Sequence, residues 1–133
     1  MAEIMSFVST GNADPILHEI AHALSSLLET GAETTIDLGA IPFAGGDERR
    51  MDAVLGTGEV RAVLRVMGES HVQETAIPGV WRVDHFDEAG ETQSRFIEIT
   101  FMPGILKTQR EDALAGLRLL NERLADGPDA SHN

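Results

Sequence analysis

Four strand-like stretches in the second half of the chain constrain the fold most. In the first, Val60 to Val66, the apolar even positions alternate with Arg61 and Arg65, which is the period of a strand with one apolar face. The other three run from His71 to Ile77, from Val80 to Phe86 and from Gln93 to Phe101. Because short links containing Gly or Pro separate them, we predict that consecutive strands pair as an antiparallel meander.

Helical periodicity occurs at both ends of the chain. After Asp14, a predicted cap, and Pro15, apolar residues recur three or four positions apart. These residues are Ile16, Leu17, Ile20, Leu24, Leu27 and Leu28. The second long helix is predicted from Leu114, Leu117, Leu120 and Leu124. Between the first helix and the meander, Thr34 to Leu38 predicts a short strand, and Asp47 is predicted to cap a short helix.

The predicted order of elements is helix, strand, short helix, four strands and helix. This order favours an α+β fold, a mostly antiparallel sheet of about five strands with the two long helices packed on one face. We expect the opposite face to hold Arg61, Arg65 and other polar side chains. A length of 133 residues fits one domain. We assign it to residues 13–126, after a flexible lead at 1–12 and before a disordered tail at 127–133.

Charge and cysteine content narrow the function classes. The chain has 22 acidic and 10 basic residues, so nucleic acid and anionic lipid are disfavoured as partners. It has no cysteine, which excludes a thiolate metal site, a cysteine nucleophile and a self-ligated iron–sulfur cluster. The first ten residues do not have the pattern of a signal peptide, and no apolar run is long enough to span a bilayer. We expect a cytoplasmic protein that binds other proteins.

Three segments in the right order carry a family resemblance. They are LGTGEVRAVL at 55–64, VQETAIPGVWRV at 72–83 and IEITFMPGIL at 97–106. Together with the helix and IDLGAIP region at 17–42, they resemble the HupH/HyaF family of hydrogenase expression/formation proteins. The middle segment is the most specific. The resemblance covers about residues 15–107 and identifies the domain at 13–126 as HupH-like.

The resemblance implies a function without an established reaction. Proteins of this family act in the maturation of nickel–iron uptake hydrogenase, alongside other accessory proteins. We therefore expect a non-enzymatic, chaperone-like accessory protein without a cofactor. Its expected partner is the iron–sulfur small subunit of the hydrogenase or another accessory protein.

The matched segments also supply candidate residues for partner binding. These are Gly58, Glu59, Gln73, Glu74, Thr75, Pro78, Gly79, Trp81 and Pro103. Trp81 alternates with Val83 along its strand, which is typical of an interior tryptophan. The alternative is an exposed anchor on a docking surface, where tryptophan is enriched.

A zinc-dependent hydrolase is the alternative function. His18, Glu19 and His22 match the H-E-x-x-H pattern, in which two histidines four apart on a helix bind Zn²⁺ and the glutamate polarises a water. The sequence indicates no third ligand, and the same helix has the apolar stripe of a core helix. A nickel or iron carrier is disfavoured because the five histidines are scattered.

The copy number predicts a homodimer. Members of the HupH family usually carry two diverged copies of this unit, and this chain carries one. A symmetric homodimer would restore a paired surface, because one patch serves both copies. The unpaired backbone groups of the outermost strand offer one way to form it.

Overall fold

The computed structural model describes residues 8–65 and 67–128. Two compact units can be distinguished, one ending at Pro103 and one beginning at Gly104. Of the predicted lead and tail, residues 1–7 and 129–133 lie outside the described residues. In the described ranges, no helix has both the length and the apolar character needed to cross a membrane.

Within the described residues, the first unit contains two α-helices and five strands. These elements are α1 at Ala13–Thr30, β1 at Thr34–Asp37, α2 at Gly45–Leu55, β2 at Arg61–Arg65, β3 at Glu69–Glu74, β4 at Val80–Phe86 and β5 at Thr92–Ile99. The second unit contains α3 at Arg110–Ala125. The predicted order of elements and the α+β class are confirmed, with strand ends displaced by up to three residues.

All five strands join one antiparallel sheet in the order β1-β5-β4-β3-β2. The meander from β2 to β5 is the predicted one, and β1 completes the sheet beside β5. Ile36 of β1 lies opposite Ile97, and Ile97 lies opposite Arg82 of β4. The outermost strands are therefore β1 and β2.

The main core lies between the sheet and the helices α1 and α2. It includes Ile16, Ile20, Ala23, Leu27, Met51, Leu55, Val80, Ile97 and Ile99. Burying a side chain such as that of Leu27 stabilises the fold by about 1.5–3 kcal/mol. Leu28 is the exception in the predicted α1 stripe, since it is 71% exposed, whereas the other five residues are buried in this core or packed against it.

The prediction for the faces of the sheet was wrong for Arg61 and Arg65. Arg61 pairs with Gln73, which pairs with Arg82, and Arg82 forms an ion pair with Asp52 of α2 at 2.8 Å. Because directly paired residues point to the same face, both β2 arginines belong to the helix-facing side. They are exposed because β2 is an edge strand. The alternation separates the two faces of a strand but does not tell which one the helices cover.

Asp14 and Asp47 do not act as the predicted N-caps. Helix α1 begins at Ala13, so Asp14 lies in its first turn, where it forms an exposed ion pair with Arg50 at 2.9 Å. Asp47 is the third residue of α2 and is fully buried. Its carboxylate accepts a hydrogen bond from the backbone N–H of Ala44 at 2.9 Å and so still satisfies the start of the helix.

The second long helix is present as predicted. None of the residues of α3 is buried. The expected packing of this helix on the sheet stays a prediction.

Candidate partner-binding site

A cavity of about 370 Å³ opens on the first unit, where α1 meets the turn between β3 and β4. Its lining is mostly apolar and consists of Leu24, Leu28, Glu74, Pro78, Gly79, Trp81 and Phe101. Leu28 and Phe101 are largely exposed at its rim, with 71% and 68% of their surface accessible. We call this feature the Trp81 pocket.

The turn that forms one side of the pocket depends on Thr75 and Gly79. The buried hydroxyl of Thr75 donates to the backbone oxygen of Val80 at 2.8 Å and accepts from the N–H of Ile77 at 3.1 Å. Gly79 has a φ of 95°, and a Cβ there would lie 2.9 Å from Cδ1 of Leu24. The positive φ favours glycine at this position, and any larger residue would also displace the end of the Leu24 side chain.

Trp81 forms an inner wall of the pocket. It is 7% exposed, and its indole N–H donates to the backbone oxygen of Thr100 at 3.1 Å. This arrangement corresponds to the interior tryptophan of the sequence analysis. The exposed apolar side chains beside it are Leu28 and Phe101, which the sequence analysis did not select.

Gly58 and Gln73 do not line the pocket, but they hydrogen-bond to the backbone beside it. The N–H of Gly58 donates to the backbone oxygen of Glu74 at 2.7 Å. The side-chain amide of Gln73 donates to the backbone oxygens of Glu74 at 2.9 Å and of Gly58 at 3.2 Å. These bonds hold the loop before β2 against the end of β3, where Glu74 enters the lining.

The structure brings together four of the nine predicted residues in the lining itself. Those four are Glu74, Pro78, Gly79 and Trp81. Gly58, Gln73 and Thr75 hold the backbone around them. Glu59 is exposed and Pro103 is buried, and neither contributes to the lining. Which of these residues contact a partner stays a prediction.

Carboxylates surround Trp81 on the sheet. Glu74 and Glu98 are its direct neighbours on β3 and β5, and Glu33 accepts a hydrogen bond from the hydroxyl of Thr100. Burial raises the pKa of Glu98 above its ordinary value. Within residues 8–65 and 67–128, none of these three glutamates forms a salt bridge. The pocket therefore combines an apolar wall with carboxylates in and beside its lining that form no salt bridge within the described residues.

The H-E-x-x-H residues lie elsewhere, on α1. His18, Glu19 and His22 are all exposed, so the two histidines share a solvent-facing side of the helix. In the part of the chain that the structure describes, no group of three or more His, Cys, Asp or Glu residues is placed to hold a metal. The zinc alternative thus has no third ligand in that part and stays a prediction.

Comparison with known proteins shows similarity over most of the chain. The family model described as HupH hydrogenase expression protein, C-terminal conserved region, matches residues 10–126. The hydrogenase expression/formation protein HupQ of Azotobacter chroococcum mcd 1 is 32% identical over 103 residues, which are 76% of this chain and 36% of that protein. HoxQ of Cupriavidus necator is 31% identical over 115 residues, 86% of this chain and 39% of that protein. The chain therefore spans less than half the length of these relatives.

A solved structure has the same fold. Hydrogenase expression protein HupH from Thiobacillus denitrificans ATCC 25259 is 44% identical and superposes with a TM-score of 0.85. The superposition covers 90% of this chain and 99% of that one. Sequence and structure agree, and the chain belongs to the HupH hydrogenase expression protein family, which it matches through the C-terminal conserved region of that family.

Proposed function

We propose that this chain is a cytoplasmic, non-enzymatic accessory protein in the biosynthesis of nickel–iron uptake hydrogenase. In this role it binds the iron–sulfur small subunit or another accessory protein. The names of the relatives, hydrogenase expression/formation proteins, support the process. The Trp81 pocket supports a binding role and is the observation that carries the proposal.

The pocket has the composition of a docking site for a protein segment. Its volume suits one large side chain, and its rim presents Leu28 and Phe101 to solvent. The lining contains one ionisable side chain, that of Glu74, and no nucleophile–base pair. Binding is the chemistry that such a lining can perform.

The charges around the pocket indicate what kind of partner segment it would bind. Glu33, Glu74 and Glu98 form no salt bridge among the described residues. A partner segment with a Lys or Arg beside an apolar anchor would bury its anchor in the pocket and pair its charge at the edge. We therefore propose a basic and apolar segment of the client as the occupant.

The apolar part of the site is tested by removing its two exposed side chains. We expect a Leu28→Ser, Phe101→Ser double variant to bind its client at least about tenfold more weakly, because both apolar contacts at the rim are lost. Affinity purification of the tagged protein from cells that express the hydrogenase operon, with quantification of each hydrogenase subunit and accessory protein, measures this loss. Val63→Ser is the matched control, since Val63 is an exposed apolar residue outside the lining.

Two outcomes of this experiment would contradict the proposal. If the unaltered protein recovers neither a hydrogenase subunit nor an accessory protein under several growth conditions, the proposed function is wrong. If the double variant recovers as much client as Val63→Ser does, the client binds elsewhere on the chain.

The charged part of the site is tested with glutamines. We expect Glu74→Gln, Glu98→Gln to weaken client binding and to reduce its dependence on salt, because exposed charge pairs are screened by ions. Burial disfavours the ionised form of Glu98, so neutralising it should not lower the stability of the fold at neutral pH. The client affinity is measured at low and at high salt, and melting temperatures check the fold. A salt dependence equal to that of the unaltered protein would refute the charge pairing.

A further inference from the structure

Two histidines of α1 have rings that no other described residue binds. The ring of His71 bonds to a glutamate at 2.8 Å, and the ring of His85 bonds to a serine hydroxyl at 2.7 Å. Within the described part of the chain, no hydrogen bond or ion pair involves the rings of His18 and His22, and both residues are exposed. The nitrogens of these two imidazoles are therefore available to a ligand.

Helix α1 holds the two histidines on one side. Its opposite side packs into the main core of the first unit through Ile16, Ile20, Ala23 and Leu27. Because this packing fixes the rotation of the helix, His18 and His22 point away from the sheet. Residues four positions apart on a helix have Cβ atoms about 5–6 Å apart. The two imidazoles therefore lie side by side on a surface made by the first unit alone.

Two imidazoles in this arrangement can bind one metal ion. An imidazole nitrogen binds Zn²⁺ at about 2.0–2.1 Å, and two histidines four apart on a helix reach a common ion at that distance. Imidazole suits Ni²⁺, Cu²⁺ and Zn²⁺, whereas Mg²⁺ and Mn²⁺ prefer carboxylate and water oxygens. We propose that His18 and His22 form a chelating site for one divalent transition-metal ion of the imidazole-preferring class.

Acidic side chains make the surroundings of this site attractive to a cation. Glu19 and Glu29 are both exposed, three positions before His22 and seven positions after it. On a helix these spacings place the three residues on neighbouring parts of one side. Neither glutamate forms a salt bridge among the described residues, and the chain has a formal net charge of −12. This negative charge should raise the local concentration of divalent cations.

The proposed site differs from that of a zinc hydrolase. Catalytic zinc sites have three protein ligands and keep a position for water or substrate. Within residues 8–65 and 67–128, no group of three or more His, Cys, Asp or Glu residues is placed to hold a metal. Water or groups of a second molecule would therefore fill the positions that the two histidines leave. Because neither ring has the hydrogen-bonded partner that usually orients a metal-ligating histidine, we expect reversible binding.

Titration calorimetry of the full chain without a purification tag tests this inference, which does not rest on the proposed function. We expect one Ni²⁺ per chain to bind at neutral pH, and Zn²⁺ to bind at the same site. Mn²⁺ is expected to bind at least about tenfold more weakly, because it prefers oxygen ligands. Equal affinities for Ni²⁺ and Mn²⁺ would place the metal on carboxylates and contradict the proposal.

Single substitutions identify the ligands. His18→Gln and His22→Gln should each weaken Ni²⁺ binding at least about tenfold, because one of the two ligands is lost. Both positions are exposed and glutamine favours helix, so the fold should be kept. His132→Gln is the matched control, since it removes a histidine that α1 does not contain.

The His22→Gln, Ser25→His variant tests the spacing of the pair. It keeps two histidines at exposed positions of α1 but separates them by seven residues, which is about 10.5 Å along the helix. One ion cannot bind both rings at that distance. Ni²⁺ should therefore bind this variant as weakly as it binds His22→Gln.

Nuclear magnetic resonance locates the bound ion directly. Paramagnetic Ni²⁺ should broaden the ring-proton signals of His18 and His22 before those of His71 and His85. Binding should also raise the melting temperature of the unaltered protein, because a ligand that binds only the folded state stabilises it. His18→Gln and His22→Gln should lose most of this rise.

Three further results would overturn the inference. The first is no Ni²⁺ uptake by the unaltered protein at about 1 mM free metal. The second is an unchanged affinity in the spacing variant, because the two rings would then not bind one ion. The third is an equal loss of affinity in His132→Gln and His18→Gln, because binding would then not depend on the pair in α1.

Discussion

Replacing Asp47 with asparagine is expected to cause one of the largest losses of stability among single substitutions of polar residues in this chain. Asp47 is fully buried and its carboxylate accepts five hydrogen bonds. The donors are the hydroxyls of Ser9 and Thr10 and the backbone N–H groups of Thr10, Gly11 and Ala44. Asparagine presents an NH₂ group to some of these donors, so hydrogen bonds to this buried position are lost and the NH₂ group itself is left without an acceptor.

Asp14→Asn is the matched control for this substitution. The carboxylate of Asp14 forms one ion pair, with Arg50, and both side chains are more than half exposed. Exposed pairs of this kind contribute little to stability. Thermal unfolding followed by circular dichroism at neutral pH should therefore show a much lower melting temperature for Asp47→Asn and almost no change for Asp14→Asn.

The pH dependence of stability gives an independent check. The N–H of Ala44 first, and then the donors at Thr10 and Ser9, hold the pKa of Asp47 well below its ordinary range. A lowered pKa contributes stability that is complete above the unfolded value of about 3.9 and is lost as the pH falls towards the folded value. We expect Asp47→Asn to lose less stability than the unaltered protein between neutral pH and the acid range. Identical pH profiles would contradict this role.

The contacts of Asp47 show what the sequence could not indicate. A helix cap can be predicted from neighbouring residues alone, and the sequence located the start of α2 near Asp47, although Asp47 is the third helical residue and not the N-cap. Its bonds to Ser9 and Thr10, however, join segments 37 and 38 positions apart. Local patterns carry no information on such contacts, because the fold of the intervening chain determines them.

The same limit applied to the Trp81 pocket. Strand alternation predicted the meander and placed Glu74 and Trp81 on neighbouring strands. It did not predict Leu24, Leu28 and Phe101 as lining residues, because these approach the turn at Gly79 only in the folded chain. The periodicity of α1 predicted that Leu28 faces the core. The apolar stripe is wider than the part of the helix that contacts the sheet, so Leu28 stays exposed.

Replacing Gly58 with alanine is expected to lower the free energy of unfolding by roughly 2–4 kcal/mol. A Cβ at this position would lie 2.4 Å from the backbone oxygen of Thr75 and 2.9 Å from Oε1 of Glu74. The glutamate side chain can move, but the backbone oxygen belongs to Thr75, which directly follows β3 and is held by the hydrogen bond from its hydroxyl to Val80. The loop must therefore withdraw, which breaks the 2.7 Å hydrogen bond from Gly58 to Glu74.

Gly116→Ala is the control, because a Cβ there meets nothing within 4 Å. It replaces a glycine inside α3 and should leave the first unit unchanged while favouring the helix. Urea unfolding followed by Trp81 emission measures both variants in the unit that contains the pocket. Because Glu74 and Thr75 belong to the pocket and its supporting turn, Gly58→Ala should also weaken client binding below the denaturation midpoint. A stable Gly58→Ala protein with unchanged client affinity would show that the loop before β2 does not position the pocket.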